Sequence, residues 1–326
     1  MTYEFAAGAM LRDVTLRDGF QLTGKPLPAD EKIKLIRDLI RLGVPELEIG
    51  SMARPDLVPA MANTLEVIAG LTAEELEKCW IWVATPRHVK KAAAAGARNF
   101  QYCFSASDAH NLANIGRTTE QSLAAMPDAI ALAKAAGGRI QLCIATSFTC
   151  PFEGPVPPQK IVDIANDPRT LGADDIVICD TLGQAYPKQV ADLVSRVAVE
   201  SPTRRIVFHG HDTWGQGVAN ALAAVSAGAA VVDGALGGLG GCPFAPGASG
   251  NTSSEDLLFA LRPEWLEPGG FSNLVANSDS LLAQLDEPNR SRAVQGAHSN
   301  ATAFEWSLKY QAAQEQTGSA KEAGTS

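Results

Sequence analysis

The chain has 326 residues, 46% of them hydrophobic and 19% charged, the balance of a globular protein long enough for one large α/β barrel or two smaller domains. Its net charge of −9 and pI near 5.1 argue against a nucleic-acid partner, which requires a basic face. The N-terminus has no basic-then-apolar leader, no apolar run is long enough to cross a membrane, and the six cysteines form no Cys-x-x-Cys, so a reduced cytoplasmic protein without a structural zinc site or membrane partner is expected.

Short apolar runs alternate with longer amphipathic ones along the chain. Strands are predicted at Ala9–Thr15, Glu46–Ser51, Cys79–Ala84, Phe100–Ser105, Ile140–Thr146, Asp175–Thr181, Ile206–His211 and Ala230–Ala235. Several read as near-continuous Val, Ile, Leu and Cys, as strands buried on both faces do. Helices are predicted at Asp30–Leu42, Pro55–Ala69, Thr119–Ala136, Pro158–Asp167, Pro187–Ala198, Gly217–Ala227 and Ser254–Leu261. Thr85 and Pro86 read as a helix N-cap followed by proline at the first helical position. The alternation predicts an α/β fold, a (β/α)8 TIM barrel over residues 9–264. The alternative is a doubly wound open sheet; the barrel is favoured because no Gly-x-Gly-x-x-Gly follows the first strand. Residues 265–310 are expected to form a C-terminal helical extension packed on the barrel, with a helix near Ser280–Leu285. The Gln-, Ala- and Gly-rich residues 311–326 are expected to be a disordered tail.

In such a barrel, chemistry sits at the C-terminal ends of the strands. The first strand leads into Arg17, Asp18 and Gln21, the second carries Glu48, the sixth ends at Asp180, and the seventh ends at His209 and His211. Residues i and i+2 of a strand share a face, so the two imidazoles can hold one metal ion. With Asp18 and Asn251 they make a mixed nitrogen and oxygen set that suits Mg²⁺, Mn²⁺ or Zn²⁺; without a metal they are a hydrogen-bonded pair at the barrel mouth. Arg17 can form an ion pair with Glu48, stabilise a developing enolate oxygen, or do both. Glu48 reads as a brace. Asp180 can position a metal-bound water or brace a ligand histidine. Asp212 reads as a helix cap. The eighth strand runs into Gly237–Asn251, a loop rich in Gly and Pro with Cys242 at its centre, which reads either as an active-site lid or as a surface loop.

The stretch Thr15 to Gln21, Glu48, the run His209-Gly210-His211-Asp212-Thr213-Trp214-Gly215-Gln216 and the Gly237–Asn251 loop together resemble the 3-hydroxy-3-methylglutaryl-CoA lyase family of the DRE-TIM metallolyases. The resemblance runs from about Leu11 to Leu285. It implies that Asp18, His209, His211 and Asn251 bind Mg²⁺ or Mn²⁺ and that Arg17 polarises the thioester carbonyl. It further implies that His209 or Asp18 takes the hydroxyl proton, and that Cys242 protonates the acetyl-CoA carbanion. Ser107 and Asn114 match a family segment near the CoA entrance, and Gln21 joins Arg17 in binding substrate. The expected reaction is cleavage of a 3-hydroxy-3-substituted acyl-CoA, with 3-hydroxy-3-methylglutaryl-CoA leading, by a homodimer. The alternatives are a lyase for a different acyl group, an acyltransferase condensing with a 2-oxo acid, and a metal-binding barrel without turnover.

The chain departs from the family's pattern at four places. Leu22-Thr23-Gly24 follows Gln21 where Asn-Glu is common, Gly210 stands between the histidines where Cys is common, Gly50-Ser51-Met52-Ala53-Arg54 stands after Glu48 where Thr-Ser-Phe-Val-Ser is familiar, and Gln141 replaces an Arg. These departures bear on the acyl group more than on the reaction.

Overall fold

The structure, a computed structural model, describes residues 8–241 and 249–323. Eight parallel strands close into a barrel: β1 (Met10–Asp13), β2 (Glu46–Ser51), β3 (Cys79–Val83), β4 (Asn99–Ser105), β5 (Arg139–Ala145), β6 (Asp175–Asp180), β7 (Arg205–Gly210) and β8 (Ala229–Gly234). They follow one another around the ring, and β8 pairs with β1 to close it. A crossover helix follows each strand, so both faces of the sheet are covered and the strands are buried almost throughout. The closed ring leaves no exposed strand edge.

The helices obey their local signals. Thr85 caps Pro86–Ala94 by accepting the His88 N–H, and Thr118 opens Thr119–Ala135 with a capping box closed by Gln121. The predicted helix Pro55–Ala69 is replaced by a 3-10 turn at Pro59–Met61 and a shorter helix, Thr64–Ala69. Pro59 provides no N–H for a helix begun at Pro55, so a continuous helix would lose a bond and clash there. Where composition predicts a disordered tail, a helix spans Leu308–Ala323; its Ala, Gln, Glu and Lys are good helix formers. An antiparallel hairpin, Thr149–Cys150 with Gly154–Pro155, lies in the loop after β5.

Two kinds of core coexist. Between strands and helices lies an apolar layer that includes Leu47, Phe100, Ile140, Ile176 and Phe208. Burial of such side chains contributes about 1.5–3 kcal/mol each. Inside the ring and at its N-terminal rim, charged groups pair instead. Asp175 takes Arg205 and Arg139, Glu46 takes Arg205 and the Trp80 indole N–H, and the fully buried Arg12 grips Asp233 through Nε and Nη2 at 2.8 and 2.7 Å. Interior charges persist only when paired this completely.

The C-terminal helices Pro268–Leu285 and Arg292–Ala297 pack beside the last crossover helix, Ser254–Leu261. Phe259, Phe271 and Trp306 form an aromatic cluster there. Arg290 N–H donates to Gly237 O at 3.0 Å, and Ser291 Oγ to Asp256 at 2.7 Å, which ties this layer to the stem of the glycine-rich loop.

Candidate active site

The turn after β1 projects two charged side chains into the barrel mouth. The Asp18 and Gly19 N–H groups both return to Val14 O, so the chain doubles back over Thr15–Arg17. Thr15 Oγ1 accepts the Leu236 N–H at 2.8 Å and fastens this turn to the end of β8. Arg17 then donates from Nε to Glu48 at 2.5 Å and from Nη1 to Asp18 Oδ1 at 2.7 Å. Gln101 Nε2 donates to the other Glu48 oxygen at 2.8 Å, so Glu48 is a fully buried brace. Arg17 Nη2 has no hydrogen-bond partner among the described residues and is the one guanidinium nitrogen left for a ligand.

His209 and His211 face the same point. Their Nε2 atoms lie 3.5 and 3.3 Å from Asp18 Oδ2. One ligand atom from each of Asp18, His209 and His211 lies within 4.8 Å of the others, and all three residues are buried. Asn251 joins them through an isolated bridge to His211. Its Nδ2 donates to Leu239 O at 2.9 Å, while Oδ1 is buried without a partner. A buried carbonyl oxygen without a partner, on a residue bridged to His211, joins the converging Asp18, His209 and His211 atoms in a donor set that could hold a divalent cation, and the residue types fit one.

Glycine makes that bridge possible. Gly240 holds φ +116, where a side chain is strained, and a Cβ on it would crowd the Asn251 amide. A Cβ on Gly250 would run into the backbone of Gly238 and Gly240. The two ends of the loop therefore touch, and Asn251 is delivered opposite His211. Cys242 lies outside the described residues.

Asp233 is the residue that sequence reasoning missed. Its Oδ2 lies 3.0 Å from His209 Nδ1, and its carboxylate is gripped by Arg12. The sequence offers only a single carboxylate interrupting Val231-Val232-Asp233-Gly234; that Asp233 stands directly beside His209 is set by the register of β8 on β7. Asp180, one candidate for bracing a histidine, uses both oxygens on the Gln184 and Ala185 N–H groups and closes the loop after β6. The electrostatics follow. Burial disfavours charge at Asp18, but Arg17, His211 and His209 outweigh it and hold the carboxyl far below the usual range. Burial likewise opposes the charged form of His209, yet the Asp233 hydrogen bond and the two carboxylates raise its pKa.

The remaining candidates sit around the mouth. Gln21 lies in the 3-10 turn Gly19–Leu22. Ser107 is buried and already engaged, capping Asp108–Ile115 through the His110 N–H and accepting the Cys150 thiol at 2.9 Å. Asn114 is exposed on that helix. Asp212 accepts the Gly217 N–H at 2.6 Å, ahead of the helix it precedes.

The mouth of this barrel thus gathers one carboxylate, two imidazoles, an amide oxygen and a braced arginine. The HMGL-like family model matches residues 9–274. The chain belongs to the HMGL-like family. It is 37% identical to the (R)-citramalyl-CoA lyase of Chloroflexus aurantiacus over 287 residues, 85% of this chain and 90% of that protein. It is 35% identical to the mitochondrial hydroxymethylglutaryl-CoA lyase of Bos taurus, with 87% of each covered. Among solved structures, an HMG-CoA lyase from Acinetobacter baumannii in complex with coenzyme A and 3-methylmalate superposes with a TM-score of 0.82 at 33% identity, covering 93% of this chain and 99% of that one. As an HMGL-like enzyme, the chain is a carbon–carbon lyase. No helix among its described residues is long and apolar enough to cross a membrane.

Proposed function

We propose that this protein cleaves a 3-hydroxy-3-substituted acyl-CoA to acetyl-CoA and a keto acid, with 3-hydroxy-3-methylglutaryl-CoA the leading substrate. The observation that carries this reading is the convergence of the Asp18–His209–His211 set and the unpaired Arg17 Nη2 on one mouth. The relationship to a citramalyl-CoA lyase gives citramalyl-CoA as the second substrate to try.

The reaction breaks the bond between C2 and C3. The 3-hydroxyl loses its proton, its oxygen becomes a ketone, and the bonding pair moves to C2 and the thioester as an enolate. A proton added at C2 then gives acetyl-CoA. Asp18, His209, His211 and Asn251 would hold a divalent cation, Mg²⁺ or Mn²⁺, which when bound lowers the pKa of a hydroxyl and orients it. Arg17, fixed by Glu48 and Asp18, offers Nη2 to the thioester oxygen where negative charge develops. His209 or Asp18 is the proposed acceptor of the hydroxyl proton, since both stand where the cation would hold that hydroxyl. Cys242 is the proposed proton donor to C2, and closure of its loop would exclude water. Asn114, exposed beside the mouth, and Ser107, which orders the helix that carries it, are the proposed contacts toward CoA. Gln21 would line the acyl side with Arg17. A cytoplasmic homodimer is the proposed working form.

The test is direct. Purified protein with Mg²⁺ or Mn²⁺ is given each thioester, and acetyl-CoA is measured. Release from either supports the lyase; release from neither, nor from related thioesters, removes it.

A further inference from the structure

Gln141 lies between two buried charges of opposite sign. The Arg12 side chain crosses the bore of the barrel from β1 to the opposite strand, β5, where Nη1 donates to Gln141 Oε1. Gln141 Nε2 donates to Asp175 Oδ2 at 2.9 Å. An amide has one acceptor end and one donor end, so a cation on one side and an anion on the other leave it a single orientation. Arg12 and Gln141 are both fully buried, and neither belongs to the Asp18–His209–His211 set.

Arg12 has two carboxylates level with it, Asp233 on β8 and Glu46 on β2. Glu46 is taken by Arg205 and the Trp80 indole N–H. Asp233 takes Nε and Nη2 of Arg12, and Gln141 takes the remaining prong, Nη1. The guanidinium is planar, so holding Nη1 fixes the direction of the other two donors. Asp175 also has Arg139 and Arg205, and does not depend on the amide. Arg12 Nη1 has no other acceptor among the described residues, so loss of the amide falls on Arg12. From Arg12 the line runs to Asp233 and on to His209 Nδ1, 3.0 Å away.

We propose that Gln141 is a positioning residue for His209, acting across the barrel through Arg12 and Asp233. The proposal rests on the cation site in the reading above and not on the choice of thioester. A neutral amide suits the place. Arginine there would face Arg12 and glutamate would face Asp175, each a like charge at short range in a buried site.

Gln141→Met keeps the length of the side chain and removes both hydrogen bonds. Its affinity for Mn²⁺, read by calorimetry without substrate, should fall about 5-fold, part of the roughly 10–100-fold worth of a direct histidine partner. In an Asp233→Asn background the same substitution should cost less than about twofold, because the line is already cut there. With any thioester the protein cleaves, Gln141→Met at saturating Mn²⁺ should lower kcat and leave KM within about twofold. Gln141→Glu keeps the shape, and its carboxylate competes with Asp233 for Arg12, so it should weaken Mn²⁺ binding in the same direction. Circular dichroism establishes that each variant is folded. A glutamine that only supports the fold would lower the urea midpoint of both variants and leave their Mn²⁺ affinities within about twofold of wild type, which would overturn the proposal. Losses from Gln141→Met and Asp233→Asn that multiply in full in the double variant would overturn it too, since the two residues would then act independently. Failure of the lyase reading is seen separately, as no acetyl-CoA from any thioester.

Discussion

Asp233 holds His209 through Oδ2 and Nδ1 at 3.0 Å, and Arg12 holds Asp233 from the other side. A carboxylate accepting from Nδ1 leaves the Nε2 lone pair of a neutral imidazole directed at the Asp18 cluster. Such bracing fixes both the tautomer and the ring orientation of a metal-binding histidine.

Asp233→Asn keeps the size of the side chain but removes the charge that Arg12 and His209 share. Affinity for Mn²⁺, read by calorimetry, should fall by about 10–100-fold. The variant should also be less stable, by about 3–5 kcal/mol in denaturant titration, because Arg12 is left as an uncompensated buried charge. Metal affinity within twofold of wild type would count against the brace.

Arg17→Lys retains a positive charge and loses the planar fork that reaches Glu48 and Asp18 together. Steady-state kcat should drop by about 10²–10³, the usual worth of one fixed donor at a developing oxyanion. The expected signature is a loss concentrated in kcat, with KM for the thioester moved much less. A change in KM alone would assign Arg17 to ground-state binding.

Cys242→Ala should lower kcat severely and leave metal affinity nearly intact, because the proposed proton donor is not among the ligands. Exchange of solvent deuterium into the methyl group of acetyl-CoA gives a second readout, and should slow in parallel. Unchanged turnover would take Cys242 out of the mechanism.

A pH effect on stability is expected at Glu255, whose carboxyl accepts the Gly237 N–H and the Ser253 hydroxyl at the base of the loop. Burial pushes this carboxyl up to about 7. An unfolded glutamate titrates near ~4.3, so between these values the folded state holds a proton that the unfolded state has released. Stability from this group is therefore present at low pH and lost as pH rises through the window to about 7. Glu255→Gln cannot ionise. Relative to wild type it should gain about 1–3 kcal/mol between pH 5 and pH 8, measured by urea denaturation at each pH. A difference that does not change with pH would show that Glu255 titrates normally.

The barrel was largely legible because its strands are written as short Val-, Ile- and Leu-rich runs with helical periodicity between them. The His-Gly-His spacing on β7 and the turn bearing Arg17 and Asp18 put these charged groups at the C-terminal ends of their strands from the sequence alone. The Asp233 contact was not legible in that way. It depends on which residues of neighbouring strands stand level, Asp233 with His209 on one side and with Arg12 on the other across the β1–β8 seam that closes the ring, and neither pairing is a local property. The same holds for the assignment of Asp180. Its position at a strand end suggested a histidine brace, but the loop after β6 turns back and occupies both oxygens with backbone N–H groups. Residues Pro55–Asn63 carried a helical pattern of apolar residues that Pro59 interrupts.

The central claim is that the Asp18–His209–His211–Asn251 set serves carbon–carbon bond cleavage of an acyl-CoA. It is tested most directly by following acetyl-CoA formation from 3-hydroxy-3-methylglutaryl-CoA and citramalyl-CoA with chelator-treated protein, before and after Mg²⁺ or Mn²⁺ is added back. Turnover of at least one thioester should be absent after chelation and restored by the metal in wild type, with His211→Ala restored poorly or not at all. Metal-independent release, or no release from either thioester with metal present, would contradict the claim.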